Sequence, residues 1–133
     1  VAVKEASGNM EQIMDIIRQR KPGFGVLSGD DNLTMPLIAA GADGVISVVA
    51  NAFPERFSQM VHASMAGDLA LAKAAHYDLF NVTKMFFEEG NPGGVKVALA
   101  ARGLMQETMR LPLFPVSDGL RQRIKAETQR ILA

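Results

Sequence analysis

Lys4 closes a short apolar run, Val1-Ala2-Val3, and is followed at once by Glu5-Ala6-Ser7-Gly8. An ammonium facing inward at a strand end is poorly solvated. Desolvation disfavours the charged form, and the free amine can attack a carbonyl to form a Schiff base. The same position suits a lysine whose stem snorkels to solvent or whose charge pairs with Glu5. Position alone leaves both readings open. Asp30-Asp31 offers two carboxylates to a hard cation, but no third carboxylate lies nearby in the sequence. Adjacent aspartates in a Gly-containing loop ahead of a helix suit a cap and a turn, so no metal site is expected. Gly29, just before them, suits a tight turn or a close backbone approach. The glycine-bearing loops could cradle a phosphate, yet neither a Walker spacing nor G-x-G-x-x-G is present. His62 and His76 lack any ligand-spaced partner, and Tyr77, the single tyrosine, falls in the middle of a helical pattern. The absence of cysteine excludes a thiol nucleophile, a disulfide framework and every Cys-based metal site.

Three apolar segments must position these residues. Residues 1–4, 24–28 and 44–49 are rich in Val, Ile, Leu and Phe and bounded by Gly or Asp, as expected of strands buried in a parallel sheet. Each gap between them has room for one helix. Asn9 is expected to cap the first, with Gln12 as its capping-box partner and Met10, Ile13, Met14 and Ile17 on one apolar face. A short helix over 34–40 tolerates Pro36 in its first turn. Pro54 suits the N1 position of the next, with Phe57, Met60, Val61 and Met65 inward and Gly67 at its end. From Asp68 onward no strand pattern recurs. The sequence predicts a long helix over 68–89 capped by Asp68, another from Asn91-Pro92 to Gly103, and a last one capped by Ser117. Arg102 and Arg110 flank the proline-stiffened connector before that last helix and are expected to tie it down.

The composition narrows the function class. The chain has 133 residues, with 14 Lys+Arg against 14 Asp+Glu. That balance argues against a nucleic-acid binder, which carries a basic excess. The longest stretch free of charged residues is 11, as from Asn32 to Ala42. A membrane span needs about 20 predominantly apolar residues, so no membrane partner is expected. A cytoplasmic location is compatible with the missing cysteine.

Five segments in order carry a family resemblance: Val3-Lys4-Glu5-Ala6-Ser7-Gly8-Asn9, Leu27-Ser28-Gly29-Asp30-Asp31, Gly44-Val45-Ile46-Ser47-Val48-Val49-Ala50-Asn51, Asn91-Pro92-Gly93-Gly94-Val95-Lys96 and Arg110-Leu111-Pro112-Leu113. Together they resemble the dihydrodipicolinate synthase family of Schiff-base (β/α)8 lyases, and they cover essentially the whole chain. The resemblance implies the C-terminal part of a TIM barrel: strands six to eight with their helices over residues 1–67, then an all-helical extension over 68–133. It implies Lys4 as the residue forming an imine with pyruvate. Gly29 would lie in the loop shaping the pocket floor, and Ile46 would present its main-chain carbonyl to the pyruvate-derived group. The reaction so implied condenses pyruvate with aspartate-4-semialdehyde on the way to diaminopimelate and lysine, with no metal or organic cofactor, in an enzyme that is commonly a homotetramer. Gly93-Gly94 stands where the family usually has Ile-Pro, which implies a looser helix start.

The opening without Met, inside an apolar run, suggests a chain cut within a larger fold, since eight β-α units take about 250 residues. The family's proton-relay tyrosines and its carboxylate-binding arginine belong to earlier strands, so these residues alone are expected to be inactive. Two rival readings remain open. One is a sister pyruvate-dependent lyase acting on N-acetylneuraminate or a keto-deoxy sugar. The other is a non-catalytic α/β module that oligomerises through exposed sheet edges.

Overall fold

The computed structural model describes residues 1–133. Three strands, β1 (Ala2–Glu5), β2 (Gly25–Ser28) and β3 (Gly44–Val45), form one parallel sheet in the order β1-β2-β3. Helix α1 (Met10–Gln19) connects β1 to β2, and a 3-10 turn (Asp31–Leu33) running into α2 (Thr34–Ala39) connects β2 to β3. The register pairs Val3 with Val26, Lys4 with Leu27 and Glu5 with Ser28. Side chains alternate between the two faces of a strand, so Val3 and Val26 share one face. There Val26 packs with Ile13, Leu37 and Ala42 in a small core against α1 and α2. Lys4 and Leu27 share the other face, where Lys4 is exposed and Leu27 half-buried.

Local signals set the helix ends. The Asn9 side chain accepts from the Gln12 amide at 3.2 Å. The expected capping box is only half formed, because the Gln12 side chain turns back to Glu5 Oε2 at 2.9 Å. The Asn9 amide donates instead to Ser7 Oγ at 3.2 Å. The buried stripe of α1 centres on Ile13, flanked by Met10, Ile16 and Ile17, and this leaves Met14 exposed, contrary to expectation.

The third apolar run is the larger departure. Only Gly44 and Val45 pair as strand; Val48 has turned to the right-handed helical region and α3 spans Val49–Ala52. A β-branched sequence here loses to capping, since Ser47 Oγ accepts from the Ala50 amide at 2.9 Å.

Beyond the sheet lie α4 (Pro54–Ala66), α5 (Leu69–Glu88), α6 (Gly93–Ala101) and α7 (Asp118–Leu132). Pro54 opens α4, left-handed Gly67 closes it, and the Asp68 and Ser117 side chains cap α5 and α7 as predicted. Met65 is exposed rather than inward. The larger core joins Val49, Phe53, Phe57 and Met60 to Leu79, Val82 and Phe86 of α5, Val97 and Ala98 of α6, and Leu120 and Ile124 of α7. This core anchors the helices beside the sheet.

Two further expectations are corrected. The start of α6 is tight, not loose: a Cβ on Gly94 would stand 2.6 Å from Phe86 Cα, and one on Gly93 would stand 2.8 Å from Val116 Cγ1. Bare backbone there lets α6 meet the end of α5 directly. Arg102 donates to the Ala52 carbonyl of α3, so it ties α6 to α3 instead of securing the connector. The connector is held elsewhere, by Glu107 with Arg121 at 2.7 Å and by the Lys96 ammonium on the Thr108 carbonyl.

Candidate functional site

Lys4 is the penultimate residue of β1, beside the loop that follows β2. The Gly29 amide donates to the Glu5 carbonyl at 2.7 Å, drawing this loop against the lysine. A Cβ built on Gly29 would meet Lys4 Cε at 2.5 Å, Ala6 Cβ at 2.8 Å and Lys4 Cγ at 3.0 Å. The lysine stem therefore runs across Gly29, and the close approach expected of that glycine is what the structure holds.

Pairing of Lys4 with Glu5 does not occur. The Glu5 carboxylate accepts from the Gln12 side chain and from the Ser7 amide at 2.7 Å. Those bonds hold its carboxyl below the usual range. Lys4 itself makes no ion pair or hydrogen bond through its ammonium. The sequence-based expectation of a poorly solvated lysine is not met by these residues, which leave Lys4 exposed. The sheet face that carries it has no covering layer here.

Beside the strand-end loops lies a cavity of about 660 Å3, lined by Ala6, Gly29, Asp30 and Asn32 from those loops and by Lys84 and Glu88 from α5; Lys4 itself is not part of its wall. It opens at the carboxyl ends of β1 and β2, where parallel α/β folds gather their chemistry. A second hollow, about 470 Å3, lies beside edge strand β3 and α4, between Val45, Phe57, Val61 and His62. Its wall includes the Ser47 and Ser58 hydroxyls, and it is apart from Lys4.

Ile46 stands at the matching end of β3. Its amide donates to the Ser28 carbonyl at 2.8 Å, the residue is 51% exposed, and its carbonyl accepts no hydrogen bond within the chain. The Ser28 hydroxyl, Thr34 hydroxyl and Asp30 carbonyl form a compact brace under the β2 loop, with contacts of 2.9–3.0 Å.

Asp31 departs from its expected role. It does not cap the helix that follows it. Its Oδ2 accepts from the amides of Val48 and Val49, both at 3.0 Å, at the start of α3. Burial pushes its carboxyl above the usual carboxylate range, against the Ser47 hydroxyl and the two amides, which favour the charged form. Nothing local in the sequence marks this contact, because the partners lie 17 and 18 residues ahead.

His76 rests edge-on against Tyr77 and Phe80, and burial lowers its pKa. Tyr77 is 66% exposed on α5. Neither residue joins the Lys4 site.

These features define a class: a parallel β-α unit with an unpaired lysine at a strand end and its site formed by strand-end loops. The sequence profile of the dihydrodipicolinate synthetase family matches residues 1–131, and the chain belongs to that family. The 4-hydroxy-tetrahydrodipicolinate synthase of Phocaeicola vulgatus is 44% identical over 126 residues, covering 95% of this chain and 42% of the relative. The crystal structure of dihydrodipicolinate synthase from Aquifex aeolicus matches with a TM-score of 0.93 at 38% identity, covering 98% of this chain and 44% of that one. The chloride-inhibited dihydrodipicolinate synthase of Acinetobacter baumannii, complexed with pyruvate, matches with a TM-score of 0.92 at 33% identity, covering 98% and 45%. The chain thus spans less than half the length of the relatives it matches. It is an α/β portion of their TIM-barrel architecture, and none of its helices is long and apolar enough to cross a membrane.

Proposed function

We propose that this chain is the C-terminal portion of a 4-hydroxy-tetrahydrodipicolinate synthase. Residues 1–67 supply barrel strands six to eight with their helices, and residues 68–133 supply the helical extension. The observation that carries this reading is Lys4 itself: it lies one residue from the end of β1 with its stem across Gly29 and its ammonium unpaired.

In the full-length enzyme, the Lys4 amine attacks the keto carbon of pyruvate and water leaves, giving an imine. The imine draws electrons from the adjacent methyl group, so a methyl proton is lost and an enamine forms. The enamine carbon attacks the aldehyde of aspartate-4-semialdehyde, whose oxygen takes up a proton. The amino group of the adduct then displaces Lys4 in closing the ring. Gly29 gives the lysine room, and the Ile46 carbonyl faces the pyruvate-derived group. The reaction so written requires no metal or organic cofactor. The setting that goes with it is cytoplasmic lysine and diaminopimelate biosynthesis, in a homotetramer.

The test is to incubate the full-length protein with pyruvate and borohydride and map the product by mass spectrometry. A carboxyethyl group on Lys4 is expected. An adduct on another lysine, or none, overturns the assignment.

A further inference from the structure

Asp31 is only 3% exposed and has no Lys or Arg partner; its second oxygen, Oδ1, makes no hydrogen bond at all. A buried carboxylate without a cation is costly. A plain helix cap does not call for one, since Ser, Thr and Asn cap about as well. What a carboxylate adds is strength, because bonds from an amide to an ionised acceptor are roughly twice as strong as neutral ones.

The two bonds sit at an informative place. The turn over residues 46–48 is fastened at one end by the Ile46 amide on the Ser28 carbonyl at 2.8 Å. At the other end it is fastened by Val48 and Val49 on Asp31, both at 3.0 Å. Ser28 and Asp31 belong to the same loop after β2, the loop whose Gly29 lies under Lys4. The Ile46–Ser47 peptide is thereby clamped to the element that receives the lysine stem.

We propose that Asp31 is a positioning residue for the imine site, fixing through the Val48 and Val49 amides the turn that aims the Ile46 carbonyl at the pyruvate-derived group. The proposal rests on the Schiff-base reading of Lys4 given above. Asp31 touches no substrate. Its effect is on the step after imine formation, when the pyruvate methyl group loses its proton and the electron distribution beside Ile46 changes.

The test compares Asp31→Ala and Asp31→Asn with the unaltered full-length protein. Three properties are read: the thermal melt, borohydride trapping of pyruvate on Lys4, and catalysed exchange of pyruvate methyl hydrogens in D2O. Asp31→Ala is expected to fold and still trap pyruvate. Its exchange rate and kcat should fall about ten- to a hundredfold, as for a reacting group displaced by up to an ångström, with little change in the KM for pyruvate. Asp31→Asn keeps an acceptor oxygen for the two amides but not the charge that strengthens the bonds, and should recover part of that loss. Exchange by Asp31→Ala at the unaltered rate overturns the proposal, as does Asp31→Asn being equally slow. Trapping that falls in step with exchange also overturns it, and so does failure of both variants to fold, because either makes the carboxylate a support of the fold alone. If the unaltered protein itself gives no Lys4 adduct, the Schiff-base reading fails first and this proposal falls with it.

Discussion

The Lys4 side chain fills the space that any side chain at residue 29 would need. A Cβ on Gly29 would lie 2.5 Å from Lys4 Cε, well inside van der Waals contact. This juxtaposition follows from the parallel register, which sets Glu5 beside Ser28 and so brings the two strand-end loops together. It makes residue 29 a control on where the amine of Lys4 can go.

Gly29→Ala should therefore impair chemistry and cost stability as well. Gly29 is outside the left-handed region and the lysine stem is flexible enough to move aside, but Ala6 Cβ, 2.8 Å from the added atom, is fixed to its backbone, so the loop must shift as well. Moving aside takes the amine from its place, and a displacement near an ångström costs about a hundredfold in rate. The expected result in the full-length protein is slower borohydride trapping together with a lowered melt. Unchanged trapping would show that the lysine does not depend on this gap.

Glycines 94 and 119 should respond to alanine in opposite directions. Alanine in a helix is normally favoured over glycine by roughly 0.5–1 kcal/mol. Gly119, in the first turn of α7, has open space around its absent Cβ, so Gly119→Ala should raise stability by about that amount. At Gly94 the same atom would meet Phe86 Cα at 2.6 Å and the Met85 and Phe86 carbonyls at 3.1 Å. Backbone cannot swing away as a side-chain tip can, so Gly94→Ala should destabilise by about 1–3 kcal/mol. Thermal or denaturant unfolding measures both; equal shifts of the same sign would contradict the packing described here.

What was legible in the sequence was local. Asn9, Asp68 and Ser117 cap helices whose amides lie three residues on, and Pro54 and Gly67 punctuate α4 through their own backbone preferences. The chemistry of Lys4 and the freedom of Gly29 were readable as residue types, but their contact depends on strand pairing. Asp31 and Arg102 were misread because their partners are distant: Val48 and Val49 for one, Ala52, 50 residues away, for the other. Strand β3 was overestimated for the same reason. Val48 and Val49 have the shape of strand residues, and their amides are taken by a carboxylate from another loop.

Asp78 joins three helices and should make stability depend on acid. Its carboxylate meets Arg56 of α4 at 2.8 Å and Arg130 of α7 at 2.7 Å. Burial works against its charge, but the hydrogen bonds from Arg130 and Arg56 outweigh it and hold the carboxyl below its usual range. A carboxyl with a lowered folded-state pKa contributes stability that is present above the unfolded value, about 3.9, and is lost as pH falls through the folded one. Asp78→Asn should cost about 1–2 kcal/mol at neutral pH, between an exposed pair and a buried one. The gap between variant and unaltered protein should then close below about pH 4. Denaturant unfolding across that range checks it, and a gap that stays constant into acid would assign the stabilisation to packing.

The 133-residue chain by itself should not turn over substrate, and the reason lies in the open face of its sheet. Lys4 and Leu27 share a face that no layer of this chain covers, and Lys4 is exposed there. An open face leaves water around the lysine and around any imine it forms, where a closed site would exclude it. No catalytic tyrosine stands in for a proton relay, since Tyr77 lies exposed on α5. The expected outcome is a cooperatively folding chain that gives no pyruvate adduct at Lys4 above the level of its other lysines and no product from aspartate-4-semialdehyde. Adding the upstream part of the protein, in one chain or as a separate one, should restore both if it covers that face. Turnover by the 133 residues alone would mean that this chain already activates Lys4, and the open face would then have to be closed by another copy.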